Sequence, residues 1–184
     1  MTPFQLLIKP VSSTCNLNCK YCFYLKKQVD SKNSKMNSEI LKTLIKNYLS
    51  LNFSESIFIW QGGEPTLAGL DFFKQSIILQ EKYGKKDQRI GNAIQTNGIN
   101  LDKKWCSFFK KYNFFIGLSL DGPKELHEKY RKSVSGKTYW NKIINSTRLL
   151  KEYNIPFNIL CAVHNKNVGY PEKILNYFLK KKFT

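Results

Sequence analysis

A chain of 184 residues that is 42% hydrophobic and 14% aromatic has enough apolar surface for one domain with a sizeable core, and this is not the composition of a disordered segment. No apolar run approaches the roughly 20 residues of a membrane span, and Met1 to Gln5 lacks a basic stretch leading into an apolar one, so we expect no membrane partner and a cytoplasmic protein. The net charge of +17 rests mostly on scattered lysines, among them Lys42, Lys46, Lys103, Lys104 and Lys180 to Lys182, with arginine only at Arg89, Arg131 and Arg148; it reads as solvated surface and not as a nucleic-acid groove.

Leu6, Leu7 and Ile8 form a first strand that ends before Pro10 and feeds a cysteine-rich loop. Asn33 to Lys35 is polar and turn-like, and Ser38 is then placed to cap a first helix carrying Ile40, Leu41, Leu44, Ile45, Tyr48 and Leu49. The unbroken apolar run Ile57 to Trp60 predicts a strand covered on both faces, stopping at Gln61-Gly62-Gly63-Glu64-Pro65. A second helix follows over Phe72, Phe73, Ile77 and Ile78 and ends near Gly84.

Asn92 to Gln95 is the third strand, closed by the turn signal Thr96-Asn97-Gly98. Asp102 caps a third helix with Trp105, Phe108, Phe109 and Tyr112 on one face. Phe114 to Leu118 is the fourth strand, ending at Ser119, Asp121, Gly122 and Pro123. A loop through Arg131 to Gly136 leads to a fourth helix opened by Thr138 and carrying Trp140, Ile143, Ile144 and Leu150. The fifth strand runs from Phe157 to Val163, and Pro171 starts a fifth helix with Ile174, Leu175, Phe178 and Leu179.

This strict alternation predicts an α/β fold with a parallel sheet and right-handed crossovers. A TIM-like partial barrel and an open doubly wound sheet both satisfy it, and both place function at the carboxyl ends of the strands. Every motif of the chain falls there. No GxGxxG follows a strand, so a dinucleotide site has no fingerprint.

The loop after the first strand holds Cys15, Cys19 and Cys22, at offsets of four and three residues. Three soft thiolates this close suit zinc, Cu(I) or an iron–sulfur cluster. A structural zinc site wants four ligands, and the spacing differs from the four-cysteine run of bacterial ferredoxins. Three thiolates on a cubane of four irons would leave one iron open to a small molecule. Gly62 and Gly63 lack Cβ, so the backbone there can approach a ligand, with Glu64 as an acceptor. On that view Gly63→Val weakens ligand binding and spares the cysteine site. Ser119 offers a hydroxyl, and Arg131 a planar fork for a carboxylate, unless it pairs at the surface with a neighbour such as Glu128. Cys106 and Cys161 read as small buried apolar residues, and His127 and His164 as lone histidines.

The CxxxCxYC loop, followed one strand later by Gly-Gly-Glu-Pro, resembles the radical S-adenosylmethionine (SAM) enzymes. The match extends further: Leu-Ile-Lys-Pro-Val-Ser-Ser, Gln-Gly-Gly-Glu-Pro-Thr-Leu-Ala-Gly-Leu, Gln-Thr-Asn-Gly and Gly-Leu-Ser-Leu-Asp-Gly-Pro-Lys resemble the anaerobic sulfatase-maturating enzymes. The resemblance implies a [4Fe–4S] cluster on Cys15, Cys19 and Cys22, with S-adenosyl-L-methionine chelating the open iron. It further implies SAM contacts from Tyr21, Tyr24, Gly62, Gly63, Glu64, Ser119 and Arg131. The implied reaction is reductive cleavage of SAM to a 5′-deoxyadenosyl radical, which abstracts hydrogen from a Cys or Ser of a sulfatase on the way to Cα-formylglycine. Partners would be the sulfatase peptide and an electron donor such as a flavodoxin or ferredoxin.

Peptide maturases acting on another substrate share this core, and a non-catalytic cluster- or SAM-binding module is a further alternative. The implied architecture is a partial (β/α) barrel of six repeats, of which residues 1–184 would hold about five. The sixth repeat, a cysteine-rich domain and the substrate base would lie beyond Thr184. The expectation is then of a chain that binds cluster and SAM at most, with an unpaired outer edge on its fifth strand.

Overall fold

The computed structural model describes residues 2–26 and 35–183. The strands are β1 Leu6–Ile8, β2 Glu55–Trp60, β3 Arg89–Thr96, β4 Phe115–Ser119 and β5 Phe157–Leu160. The helices are α1 Ser38–Ser50, α2 Leu70–Tyr83, α3 Lys103–Lys111, α4 Lys124–His127, α5 Trp140–Glu152 and α6 Pro171–Lys181. Among the described residues, single 3-10 turns also occur at Phe23–Lys26 and Pro65–Ala68. Most of the turn expected over Asn33 to Lys35 lies outside the described residues.

All neighbouring strands pair in parallel, in the order β1-β2-β3-β4-β5. Sequential order decides between the two topologies left open by the alternation. A doubly wound sheet reverses direction at a switch point, whereas here each crossover moves one strand onward, as in the wall of a barrel. The sheet is not closed: β1 and β5 are its edges.

The core lies between the sheet and its helices. Phe73 of α2 meets Trp60 and Trp105 with ring centroids 5.5 Å apart in both cases, and Phe114 at 6.4 Å. Phe58, Trp60, Phe73, Phe109 and Phe114 are fully buried; each such side chain contributes about 1.5–3 kcal/mol relative to exposure. The indole N–H of Trp60 donates to Asn92 Oδ1 at 2.9 Å, and Asn92 exchanges two amide hydrogen bonds with Gln80. The polar atoms inside this aromatic layer are therefore satisfied.

Several expected boundaries move, each for a local reason. Asn37 caps α1 in place of Ser38: its Oδ1 accepts from the Ile40 amide at 2.8 Å, which makes Ser38 the first helical residue. The run Ile57 to Trp60 is not covered equally on both faces: Phe58 and Trp60 are buried, while Ile57 and Ile59 point to the half-open inner side. Pro123 sets the backbone for α4, a single turn too short to show periodicity, inside what the sequence suggests is loop. The helix expected from Thr138 starts at Trp140. β5 stops at Leu160, short of Val163, because the Ala162 amide leaves the ladder to donate to Asp121 Oδ1 at 2.9 Å. Helices α1, α3 and α5 are each followed by an asparagine with positive φ, at Asn52, Asn113 and Asn154, the left-handed stop that Asn tolerates better than most residues.

Candidate functional site

The carboxyl ends of the strands converge on the cysteine loop. The loop lies on the exit of β2 through two backbone bonds, from the Gly63 amide to Ser12 O and from the Glu64 amide to Thr14 O, both 2.8 Å. On its other side the Asn18 amide donates to Lys132 O at 2.6 Å and the Lys20 amide to Tyr130 O at 3.2 Å. The loop is thus held on both flanks, one of them the segment that carries Arg131.

The two glycines serve this packing first. A Cβ on Gly63 would lie 2.5 Å from the Thr14 carbonyl carbon and 2.7 Å from that of Ser13. Gly62 has φ +123°, and a Cβ there would meet Ser12 O at 2.7 Å. Close approach was expected for the sake of a ligand; the backbone that approaches is the cysteine loop itself.

Cys15, Cys19 and Cys22 line one cavity of about 210 Å³ together with Tyr21, Tyr24, Gly62, Gly63, Ser119 and Arg131. Residues from the exits of β1, β2 and β4 are therefore brought together around a common space. Among the described residues no group of His, Cys, Asp and Glu is placed to hold a single metal ion; the three thiols border the same cavity, and their soft sulfur is of the kind that iron–sulfur clusters take as ligands. Burial pushes the Cys15 thiol up to about 12 and the Cys19 thiol up to about 11, so both are protonated at neutral pH.

Glu64 is the one expected contact that does not line the cavity. Its carboxylate is buried, and four donors take it up: the Thr66 amide at 3.1 Å, the Thr66 hydroxyl at 2.6 Å and the Thr96 hydroxyl at 2.7 Å on Oε1, and the Asn97 amide at 2.7 Å on Oε2. The acceptor expected for a ligand ammonium is spent tying the exit of β2 to the exit of β3. Burial raises its pKa, against the pull of those hydrogen bonds.

Arg131 is buried and pairs with Asp121, not with Glu128: Nε to Oδ2 is 2.8 Å and Nη2 to Oδ1 is 3.3 Å. The Tyr21 hydroxyl donates to the same Asp121 Oδ2 at 2.6 Å, and the guanidinium lies 5.5 Å above the Tyr21 ring. The two histidines join this group. His127 Nδ1 accepts from the Asp121 amide at 3.2 Å, and His164 stacks on Tyr21 with centroids 5.1 Å apart. Burial, reinforced by the Arg131 charge, lowers the His127 pKa to about 4.

Ser119 accepts a hydrogen bond from Gln95 Nε2 at 2.9 Å, a side chain that passes over Gly117. Asn97 Nδ2 donates to Asn16 Oδ1 at 2.7 Å and lies 3.8 Å from Cys15 Sγ. Tyr24 packs on Phe23 at 4.1 Å and under Lys9 at 5.1 Å. Gln95, Asn97 and Asp121 are thus site residues that the sequence reading did not single out. Their signal was their place where β3 and β4 end, within the motifs Gln-Thr-Asn-Gly and Gly-Leu-Ser-Leu-Asp-Gly-Pro-Lys.

No helix among the described residues is long and apolar enough to cross a membrane. The profile of the radical SAM superfamily matches residues 10–178. A cysteine-type anaerobic sulfatase-maturating enzyme of Clostridium perfringens is 42% identical over 187 residues, covering 100% of this chain and 50% of the relative. A serine-type enzyme of Bacteroides thetaiotaomicron is 38% identical over 180 residues, covering 96% of this chain and 43% of the relative. A solved structure described as native anSMEcpe with bound AdoMet and Kp18Cys peptide superposes with a TM-score of 0.91 at 42% identity, over 97% of this chain and 49% of that one. The chain spans about half the length of the curated relatives it matches.

Proposed function

The chain belongs to the radical SAM superfamily, and on that footing we propose that it is the cofactor-binding part of an anaerobic sulfatase-maturating enzyme. In this reading Cys15, Cys19 and Cys22 hold a [4Fe–4S] cluster and SAM lies beside it. The enzyme oxidises a Cys or Ser of a sulfatase peptide to Cα-formylglycine. The observation that carries the reading is the single cavity lined by three thiols, the Gly62–Gly63 backbone, Ser119 and Arg131.

Cluster and SAM, when bound, supply one-electron cleavage of the sulfonium and a carbon radical able to abstract hydrogen. The residues of the chain do the rest. The thiols must give up protons to become ligands, so loading the site releases acid. Gly62 and Gly63, having no side chains, bring bare backbone to the cavity wall. Ser119, held by Gln95, presents a hydroxyl to the ligand. Arg131 offers a planar fork to the methionyl carboxylate of SAM, a match that an ammonium cannot make. Tyr21 and Tyr24 supply aromatic surface beside the cysteines.

We assign the electron supply to a small acidic donor such as a flavodoxin or ferredoxin, because a surface of net charge +17 attracts one. We place the protein in the cytoplasm, where reducing conditions keep its five free cysteines as thiols.

The test is anaerobic reconstitution with iron and sulfide, then addition of SAM and dithionite. The expected result is 5′-deoxyadenosine from the native chain and none from Cys15→Ala. A reconstituted chain that binds iron yet neither binds nor cleaves SAM would overturn the reading.

A further inference from the structure

Asp121 is fully buried. A carboxylate without water is costly unless every lone pair is used and a charge opposes it. Its partners come from three separate parts of the chain: the Tyr21 hydroxyl of the cysteine loop, the Nε and Nη2 of Arg131, and the Ala162 amide beyond β5. Burial, the largest single influence, would raise its pKa, but the Arg131 charge and the hydrogen bonds from Arg131, Tyr21 and the Ala162 amide together hold the carboxyl below its ordinary value. It is therefore an anion in the fold.

Two of those partners, Tyr21 and Arg131, line the cavity, whereas Asp121 does not. Neither Arg131 hydrogen bond uses Nη1. A guanidinium is planar and rigid, so pinning its Nε–Nη2 edge also fixes the direction of the opposite edge. An arginine free to turn would spend binding energy on being ordered; one held in advance would not.

We infer that Asp121 is a positioning residue for cofactor recognition: it pins one edge of Arg131 so that the other faces the SAM carboxylate, and through Tyr21 it locks that aim to the cysteine loop. This rests on the SAM-binding reading given above. A buried brace with no part in recognition would have the same hydrogen bonds but a different ligand dependence.

The experiment compares SAM with decarboxylated SAM, by anaerobic calorimetry on the reconstituted chain, in the native protein and in Asp121→Asn, with iron content and melting temperature measured alongside. Asn keeps the size of Asp but removes the charge and turns one acceptor into a donor facing Arg131. SAM affinity is expected to fall by about tenfold or more, the scale of one charge-assisted hydrogen bond. Affinity for decarboxylated SAM should stay within about threefold, because that ligand has no carboxylate for Arg131 to meet. An equal loss for both ligands, or no loss for either, would overturn the inference and leave the SAM-binding reading standing. A native chain that binds neither ligand would sink the SAM-binding reading itself. Should Asp121→Asn fail to fold or load iron, Asp121→Glu decides: it keeps the ion pair but displaces the guanidinium by about one bond length, and misplacement on the order of 1 Å is enough to cost binding geometry. Discrimination between the two ligands should then fall about tenfold, and undiminished discrimination in Asp121→Glu would overturn the inference.

Discussion

Gly63 lies directly against Thr14: a side chain on Gly63 would start 2.5 Å from the carbonyl carbon of Thr14, the residue immediately before Cys15. The backbone bond from the Glu64 amide to Thr14 O, 2.8 Å, holds the two segments at that separation.

From the sequence, Gly63→Val is expected to weaken ligand binding and leave the cysteine site alone. The geometry changes that expectation. Even Gly63→Ala must push the cysteine loop away from β2, so cluster uptake and SAM binding should fail together. Iron content after reconstitution checks this: near-native iron in Gly63→Ala would show that the loop absorbs the displacement.

Glu64 gives a second prediction. Glu64→Gln replaces an acceptor oxygen with a donor inside a ring of four donors. Leaving a buried donor unpaired costs about 1–3 kcal/mol, which should appear as a lower urea midpoint. SAM affinity of the folded variant should match the native value. Native stability with weakened SAM binding would instead make Glu64 a ligand contact.

The cysteines divide cleanly. Cys15→Ala, Cys19→Ala and Cys22→Ala should each abolish an iron content of about four per chain, the cubane stoichiometry. Cys106→Ala and Cys161→Ala should keep it. Cys106 is buried on α3, and Cys161 lines a separate apolar hollow with Val163, Val168 and Leu175. Loss of iron in Cys161→Ala with retention in Cys15→Ala would reverse the ligand assignment.

His127 makes stability depend on pH. Its folded pKa is lowered from 6.5 to about 4, burial being the larger cause and the Arg131 charge the second. Between those values the unfolded chain holds a proton that the folded one does not. The imidazole's contribution is therefore whole above about pH 6.5 and is lost as pH falls toward about 4, to a limit of about 3 kcal/mol. Glu64, with its raised pKa, titrates in the opposite sense, so the native chain is best compared with His127→Gln. The urea midpoint should fall further for the native chain than for His127→Gln between pH 7 and pH 5. Parallel curves would mean that His127 is as easily protonated folded as unfolded.

The sequence by itself determined most of the elements and the family. Apolar runs separated by turn residues marked five strand–helix repeats, because strand and helix burial impose different periods on the chain. Three thiols in eight residues, Cys15 to Cys22, pointed to a metal loop, because few other uses need soft ligands so close. The strand order needed the tertiary structure: a barrel wall and a doubly wound sheet have the same alternation and differ only in which strands exchange hydrogen bonds. So did the pairing of Asp121 with Tyr21, a hundred residues away, and of Glu64 with Thr96 and Asn97. A carboxylate's type says that it can accept hydrogen bonds; which donors reach it depends on strand register and on how two loops stack. That is why Glu64 read as a ligand contact and Asp121 as part of a turn, when the fold makes the first a tie between strands and the second the anchor of Arg131.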